Sequence, residues 1–394
     1  MCGKLLDKSA VICDLSAWAY WSTPPIVRDT DIPLSVATSL EGLGMPPRMF
    51  SLRRDSSEPE ARIRGRLLGD LKGIPLPISV LVGPDAGRRR TRTVAPRKMR
   101  IDLSDDDLVD LGAGLYVTSP EATLRHLARR LELGALLMRM YEACGLYAIC
   151  PGTARARYVV RELVSGGLLD RDVVRSWEHF PAYSEPSGSR VAYADDAPWA
   201  PCFKRNGSIT DLWKRPPLTR GEALLESIDR VAAPKGVRGL ALARRAAEQV
   251  LDGSGSPLES RCAILMFTAR ELGGEGWPRP HLNRIIELDE SGRNLSGQRS
   301  CVADALLPSL NAIIEVNGEE YHADEWGFAE RSGRLHALEG MGYTVFEVID
   351  DHLRDLDKLD DMMSACAMKL GLPFRPRLSD FVVARDALHH QIFS

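Results

Sequence analysis

Residues 301–318, CVADALLPSLNAIIEVNG, hold two short apolar runs split by Pro308-Ser309, and each run carries one acid. Runs of this length, rich in Val, Ile, Leu and Ala and bounded by turn residues, read as strands. Two strands joined this closely must run antiparallel. If Asp304 lies opposite Glu315, the turn centre falls between Ser309 and Leu310, which suits Leu307-Pro308-Ser309 as the connection. Directly opposed residues point to one face with Cβ atoms about 5 Å apart. Asn317 lies two residues beyond Glu315, so it shares that face at a spacing of about 6.5–7 Å. Ile314 and Val316 then point the other way, into a core. A carboxylate set inside AIIEV is costly to bury unless something pairs with it. The fold must therefore bring a cation or a donor to this hairpin. Asp304 has a blander reading as a strand-end turn residue.

The segments around the hairpin alternate in kind. GSPLESRCAILMFTARELGG reads as a helix with a strong start signal. Residues 281–318 read as three strands joined by turns. WGFAERSGRLHALEGMGY reads as a helix, TVFEVI as a short buried strand and DDHLRDLDKLDDMMSACAMKLG as an amphipathic helix. Residues 253–375 are thus expected as one α-β-β-β-α-β-α domain, followed by a tail, 376–394, that contains His389-His390. Residues 116–252 read as mainly helical. Ser119-Pro120-Glu121 looks like an N-cap, an N1 proline and an acidic first turn. The Pro-, Gly- and Ser-rich stretch 181–219 reads as a long loop or linker. Residues 1–115 read as mixed and β-rich, with a strand within PLPISVLVGP at 75–84. The expected class is α/β, an α+β multidomain chain.

With 394 residues, 44% hydrophobic and 27% charged, the chain has ample material for a core. A net charge of -3 argues against a domain-scale basic surface, so any nucleic-acid contact must come from local patches. The strongest patch is GRRRTRTVAPRKMR at 87–100, with Arg88, Arg89, Arg90, Arg92, Arg97 and Lys98. It could contact phosphates, or it could be an exposed hairpin neutralised by Asp102, Asp105, Asp106 and Asp107. The SDDDL at 104–108 suggests a helix cap. FKRNGSITDLWKR at 203–215 mixes aromatics with bases, as single-strand binders do, and also reads as an ordinary loop. None of the eight cysteines forms a C-x-x-C pair, which fits reduced, buried thiols in a cytoplasmic setting. No signal peptide and no membrane-spanning run is expected.

Paired carboxylates at hairpin separation suit a hard divalent ion, Mg²⁺ or Mn²⁺. Such an ion supports phosphodiester hydrolysis. Here residues 253–375 resemble the PD-(D/E)XK nuclease superfamily, in particular the very short patch repair endonuclease-like "endonuclease domain-containing" proteins of actinobacteria. The residues carrying the resemblance are Glu259 in SPLES, Asp304, Glu315 and Asn317 in IIEVNG, His322 in GEEYH, and the run RLHALEGMGYTVFEV. The region led by LYVTSPEATLRHLA looks like what precedes this domain in some relatives. The resemblance implies a restriction-endonuclease-like fold, metal ligands Asp304, Glu315 and Glu259, and His322 as proton carrier or transition-state contact. Asn317 stands where the family carries Asp or Lys, and it can neither supply a charge nor act as a base. Arg331 falls where relatives often carry an acid.

Blander readings accompany these assignments. Ser256-Pro257-Leu258-Glu259 is also a capping box, worth about 1 kcal/mol without any catalysis. His322 could be a packed histidine, and Glu319, Glu320, Asp324 and Glu325 a solvated acidic rim. The expected function is a Mg²⁺-dependent (or Mn²⁺-dependent) DNA endonuclease of phage defence or DNA repair. The alternative is a catalytically inactive nuclease-fold module that binds DNA or protein in a defence or toxin–antitoxin system. Expected partners are DNA, a second copy of the chain, and a protein held through the N-terminal region.

Overall fold

The computed structural model describes residues 10–29, 70–71, 73–83, 89–98, 103–112, 114–166, 183–184, 190–191, 199–203, 209–231, 239–317, 325–373 and 376–394. It is a mixed α/β protein. The N-terminal region is built on a mixed sheet of β1 (Ala10–Ile12), β2 (Ile78–Val82), β3 (Val94–Lys98), β4 (Leu108–Asp110) and β5 (Leu115–Thr118). Its spatial order is β3-β2-β1-β5-β4. Helix α1 (Asp14–Ser22) follows β1 directly. The expected strand at 75–84 is β2, and the SDDDL cap is a 3₁₀ turn in which Ser104 and Asp107 bond reciprocally.

Helix α2 (Pro120–Leu127) starts as its sequence predicts: Ser119 Oγ accepts the Ala122 N–H at 3.2 Å, with Pro120 in the first turn. Next come α3 (Leu133–Cys144), β6 (Tyr147–Ile149) and α4 (Ala154–Ser165), and, just before the last third, α5 (Gly221–Asp229) and α6 (Leu240–Ala247). The 181–219 stretch is not simply a loop. It contains β7 (Ala200–Phe203) and β8 (Ile209–Lys214), which pair antiparallel, and β8 also pairs with β6. Turn-forming residues dominate the composition here, but Trp213 is fully buried and fixes the strand. Arg190–Val191 from the same stretch adds an edge pairing to the C-terminal sheet, Val191 opposite Arg284.

The last third holds α7 (Pro257–Phe267), β9 (His281–Glu287), α8 (Glu290–Ser296), β10 (Ser300–Leu307), β11 (Ala312–Asn317), α9 (Glu325–Gly340), β12 (Thr344–Ile349) and α10 (Leu356–Leu370). Helix α8 replaces an expected turn. Its polar sequence hides it from periodicity, but its ends are well made. Asp289 accepts the Gly292 N–H at 2.7 Å, and Gly297 closes the helix in the left-handed region at φ 70°. The expected tail is also ordered: α11 (Ser379–Phe393) buries Phe381, Leu388 and Ile392, and Gln391 accepts the Gly134 N–H at 2.7 Å.

One hydrophobic core runs through the middle and last thirds. Leu124, Leu137, Tyr141, Ile264, Phe267, Leu307, Ile314, Val348 and Leu388 belong to it, as does Trp18 of α1. Burial of each such side chain is worth about 1.5–3 kcal/mol, so the middle helices and the C-terminal sheet stabilise one another. Backbone bonds reinforce the join: the Leu146 N–H donates to Ser254 O at 2.7 Å and the Gly253 N–H to Cys144 O at 2.9 Å. Gly145 permits this approach, since a Cβ there would lie 2.7 Å from the Ser254 carbonyl oxygen and 2.6 Å from that of Tyr141. Among the described residues the cysteines are free thiols, and no helix is long and apolar enough to cross a membrane.

Candidate functional site

The hairpin register matches the sequence reading. Ala305 pairs with Ile314, Leu306 with Ile313 and Leu307 with Ala312, so Asp304 falls opposite Glu315. The turn is a 3₁₀ segment, Pro308–Leu310, closed by Asn311 in the left-handed region. The ladder stops at Asp304. There the carboxylate takes the strand's place, accepting the Val316 N–H at 2.7 Å.

The strand also turns over at this point. Ala305 and Leu307 pack in the main core with Ile314, whereas Cys301 and Ala303 pack with Ile313 against Ala337 and Leu338 on the other face. Strand β9 does the same: Leu282 lies on the first face and Ile286 on the second. Its pivot is Asn283, whose φ of 47° is left-handed, a conformation that Asn tolerates better than most residues. Leu282 pairs with Ala305 and Arg284 with Ala303, so Asn283 lies across from Asp304. Asp304, Asn283 and the start of β11 therefore meet where the sheet changes face.

Glu259 reaches the same place from the first turn of α7. Ser256 Oγ accepts the Glu259 N–H at 3.2 Å, as a capping box requires. The returning bond is shifted by one residue: the Glu259 carboxylate accepts the Gly255 N–H at 2.6 Å, and it also accepts the Asn283 side-chain amide at 2.7 Å. Asn283 donates in addition to Gly253 O at 2.9 Å. The capping role is real and leaves Glu259 close enough to act on Asp304. Burial, and next the charge of Glu259, pushes the Asp304 carboxyl up to about 7; the Val316 N–H, Arg334 and Lys214 oppose that rise.

Glu315 is 7% exposed. One of its oxygens pairs with Arg334 of α9; the other, Oε1, is buried and has no hydrogen-bond partner among the described residues. Asn317 turns toward β12, where its amide lies 3.5 Å from Glu347. His322 lies outside the described residues, as do Glu319, Glu320, Asp324 and the side chains of Glu325 and Arg331.

Lys214 is a member that the sequence reading missed. The last residue of β8, it donates to Gly255 O at 2.5 Å, on the turn whose N–H holds Glu259, and its charge acts on Asp304. Asn283 and Arg334 were missed too. The only local signal for them was an Asn inside HLNRIIE and an Arg on the helix after the hairpin.

The expected metal triad is not assembled. Among the described residues, no three acidic, His or Cys side chains converge closely enough to hold an ion. The physical reason is on either side: Glu259 is engaged by Gly255 and Asn283, and Glu315 by Arg334. The donor chemistry nevertheless fits a hard divalent cation. Two carboxylates sit at opposed strand positions, a third acts on one of them, and a buried carboxylate oxygen lacks a partner.

The basic stretch is partly committed. Arg88 lies outside the described residues, and Arg89 and Arg90 are exposed. Arg97 pairs with Asp14 at 3.2 Å. Two of the aspartates expected to neutralise the stretch serve elsewhere: Asp106 pairs with Arg230 at 2.9 Å and Asp107 with the buried Arg125 at 3.0 Å. Arg92, just before β3, and Lys98, its last residue, complete the described part. Within the 203–215 segment, Phe203 ends β7 and Ile209–Lys214 forms β8, with Trp213 buried and therefore not a stacking platform for bases.

Compared with family models, with curated proteins and with solved structures, the chain matches none.

Proposed function

We propose that the chain is a Mg²⁺- or Mn²⁺-dependent DNA endonuclease whose centre is Asp304, Glu315 and Glu259, in a C-terminal third similar to the PD-(D/E)XK nucleases. The observation that carries this reading is the pair of interacting acids, Asp304 and Glu259, at the break in the sheet. Asp304 accepts the Val316 N–H where a ladder bond would lie, stands opposite Glu315 by extension of the hairpin register, and has its carboxyl pushed up to about 7 by burial and next by the charge of Glu259. Perturbed carboxyls of this kind cluster at functional sites.

Asp304 and Glu315 would hold the ion, and Glu259 would assist. Bound there, the ion would supply a Lewis acid for a phosphate oxygen and lower the pKa of an attacking water. Asn283 fixes Glu259 in place, so its carboxylate does not have to be reoriented during the reaction. Val316 fixes one oxygen of Asp304 and leaves the other. Arg334 neutralises Glu315 and would have to give way to the ion or share the carboxylate with it. His322 remains the proposed proton carrier. DNA would be held by local cations such as Arg89 and Arg90, since the net charge of -3 offers no general attraction. Phage defence and DNA repair are the settings that suit such an activity.

A second reading is a nuclease-fold module that binds DNA or protein without turnover. It is favoured by the Arg334–Glu315 pair and by Asn317, which contacts Glu347 and carries no charge. Cleavage of supercoiled plasmid and of single-stranded DNA with Mg²⁺ or Mn²⁺, compared with Glu315→Ala, separates the two. The nuclease reading predicts metal-dependent cutting that the substitution abolishes. DNA binding without cutting on either substrate would favour the module.

A further inference from the structure

We propose that Arg97 and Arg130, held on one oxygen of Asp14, form a guanidinium fork that grips the DNA backbone, and that with Arg89 and Arg90 they make the β3 edge of the N-terminal sheet the face that holds the substrate. The choice of DNA as the occupant rests on the nuclease reading above. Three observations carry the inference.

The first is convergence. Arg97 lies near the end of β3, and Arg130 lies in the turn after α2, where its N–H donates to Leu127 O at 2.8 Å. Both meet the same oxygen of Asp14, Arg97 through Nε at 3.2 Å and Arg130 through Nη1. Ser79 Oγ also lies 3.4 Å from the Arg97 Nε. Asp14 is buried at the start of α1, so it is a fixed anchor, whereas both arginine side chains are half-exposed. Two residues far apart in the chain are thereby brought together at the surface.

The second is unused donor capacity. One carboxylate offsets one guanidinium, so the pair keeps a surplus positive charge. Among the described residues, the two terminal nitrogens of Arg97 and the Nε and Nη2 of Arg130 have no hydrogen-bond partner. Planar guanidinium groups with donors to spare match the oxygens of a phosphate, often two at a time.

The third is continuity of charge along the edge. Residues 89–98 carry five cations and no acid. Arg89 and Arg90 are exposed, and a turn in which the Thr91 N–H donates to Val94 O at 2.9 Å leads them into β3. Val94 to Arg97 is about 10 Å of strand, a length that spans about three phosphates of one DNA strand. Strand β3 is the last of its sheet, and Pro96 has no N–H to offer a further strand, so this edge is ill suited to extending the sheet. Asp106 and Asp107 are taken up by Arg230 and Arg125 and do not cancel the edge.

The test measures binding of a fluorescent DNA duplex by the full chain, without divalent metal ion, from about 50 to 200 mM salt. Asp14→Asn/Arg97→Gln/Arg130→Gln removes the fork together with the buried charge that it would otherwise strand. Arg89→Gln/Arg90→Gln alters exposed side chains alone and covers the case in which the first variant does not fold. Lys358→Gln/Lys369→Gln takes two positive charges from the C-terminal third as a control. Each of the first two variants should bind about 30–100-fold more weakly at about 0.1 M salt, with a salt slope shallower by about 1.8, as for two lost phosphate contacts. The control and Asp14→Asn alone should stay within about twofold of wild type. An unchanged slope in either folded variant overturns the proposal. So does an equal loss in the lysine control, since charge anywhere on the chain would then serve. Plasmid cleavage with Mn²⁺ is followed in parallel. A wild type that cuts, with variants that bind DNA as well as it does, overturns this proposal alone. A wild type that binds DNA through this face without cutting supports the proposal and overturns the nuclease reading.

Discussion

Two buried acids, Asp14 just after β1 of the N-terminal sheet and Asp304 within β10 of the C-terminal sheet, have surroundings that differ in sign. In the N-terminal sheet, Asp14 lies just beyond the end of β1 in the left-handed region at φ 59° and is 6% exposed, with Oδ1 unbonded. Arg97 and Arg130 both pair with its other oxygen. One carboxylate is met by two guanidinium groups, whose side chains are 40% and 45% exposed. In the C-terminal sheet Asp304 lies at the break with Glu259 acting on it, Glu315 on the next strand pairs with Arg334, and Arg334 and Lys214 are the cations that act on Asp304. The first arrangement is over-neutralised and complete, a clamp between β1, β3 and the chain after α2. In the second, burial and next the charge of Glu259 push the Asp304 carboxyl up to about 7, and Arg334 and Lys214 only partly offset that rise. A buried acid with an unbonded oxygen is therefore not in itself a mark of function. The balance of charge around it distinguishes the two.

That comparison can be broken at several points. The largest expected effect is at Glu315: Glu315→Gln keeps the shape of the side chain and removes its charge, and metal-dependent cleavage should fall by about 10³-fold. The matching change in the other sheet, Asp14→Asn, should leave cleavage within about twofold. Equal losses in both variants would erase the distinction.

The next effect concerns the competing cation. Arg334→Gln frees Glu315, so Mn²⁺ affinity should rise about tenfold, read by calorimetry. An unchanged affinity would mean that Arg334 does not compete with the ion.

The third is pH dependence. A carboxyl whose folded pKa is raised binds its proton more tightly in the native state than in the unfolded one, so stability falls as pH rises from about 4 to about 7. Urea unfolding of the wild type should show this decline, and Asp304→Asn should flatten it. The same proton must leave before an ion binds, so Mn²⁺ affinity should increase through that range. The smallest effect is on stability at Asp14: Asp14→Asn removes two ion pairs to half-exposed arginines while keeping a residue that tolerates positive φ, at a cost of about 1 kcal/mol. A cost of several kcal/mol in the urea midpoint would mark Asp14 as more than a clamp.

Much of the centre was legible because it is local. The 304–315 register follows from two apolar runs and a proline between them, and Glu259 from a start signal written in four consecutive residues. The remaining members come from far along the chain. Lys214 lies in a segment whose proline and glycine content masks a strand held by one buried tryptophan. Asn283 acts through a left-handed backbone that its neighbours, HL and RIIE, do not announce. Arg334 meets Glu315 only because α9 crosses that face of the sheet. Helix α8 escaped because its seven residues, ESGRNLS, include a single large apolar side chain and owe their form to caps, not to an apolar stripe. Residues 376–394 read as a tail in sequence, although Leu388 and Ile392 of α11 join the main core. That core also crosses residue 253, where composition had suggested a boundary, which is why a lysine from the middle third can stand at the C-terminal sheet.

The most direct test is Mn²⁺ binding by the full chain, followed by electron paramagnetic resonance at pH 5.5 and 8, for the wild type, Asp304→Asn and Glu315→Gln. The account predicts one saturable site in the wild type, stronger at pH 8 and lost in both variants. No saturable binding at either pH, or binding that survives both substitutions, would contradict it.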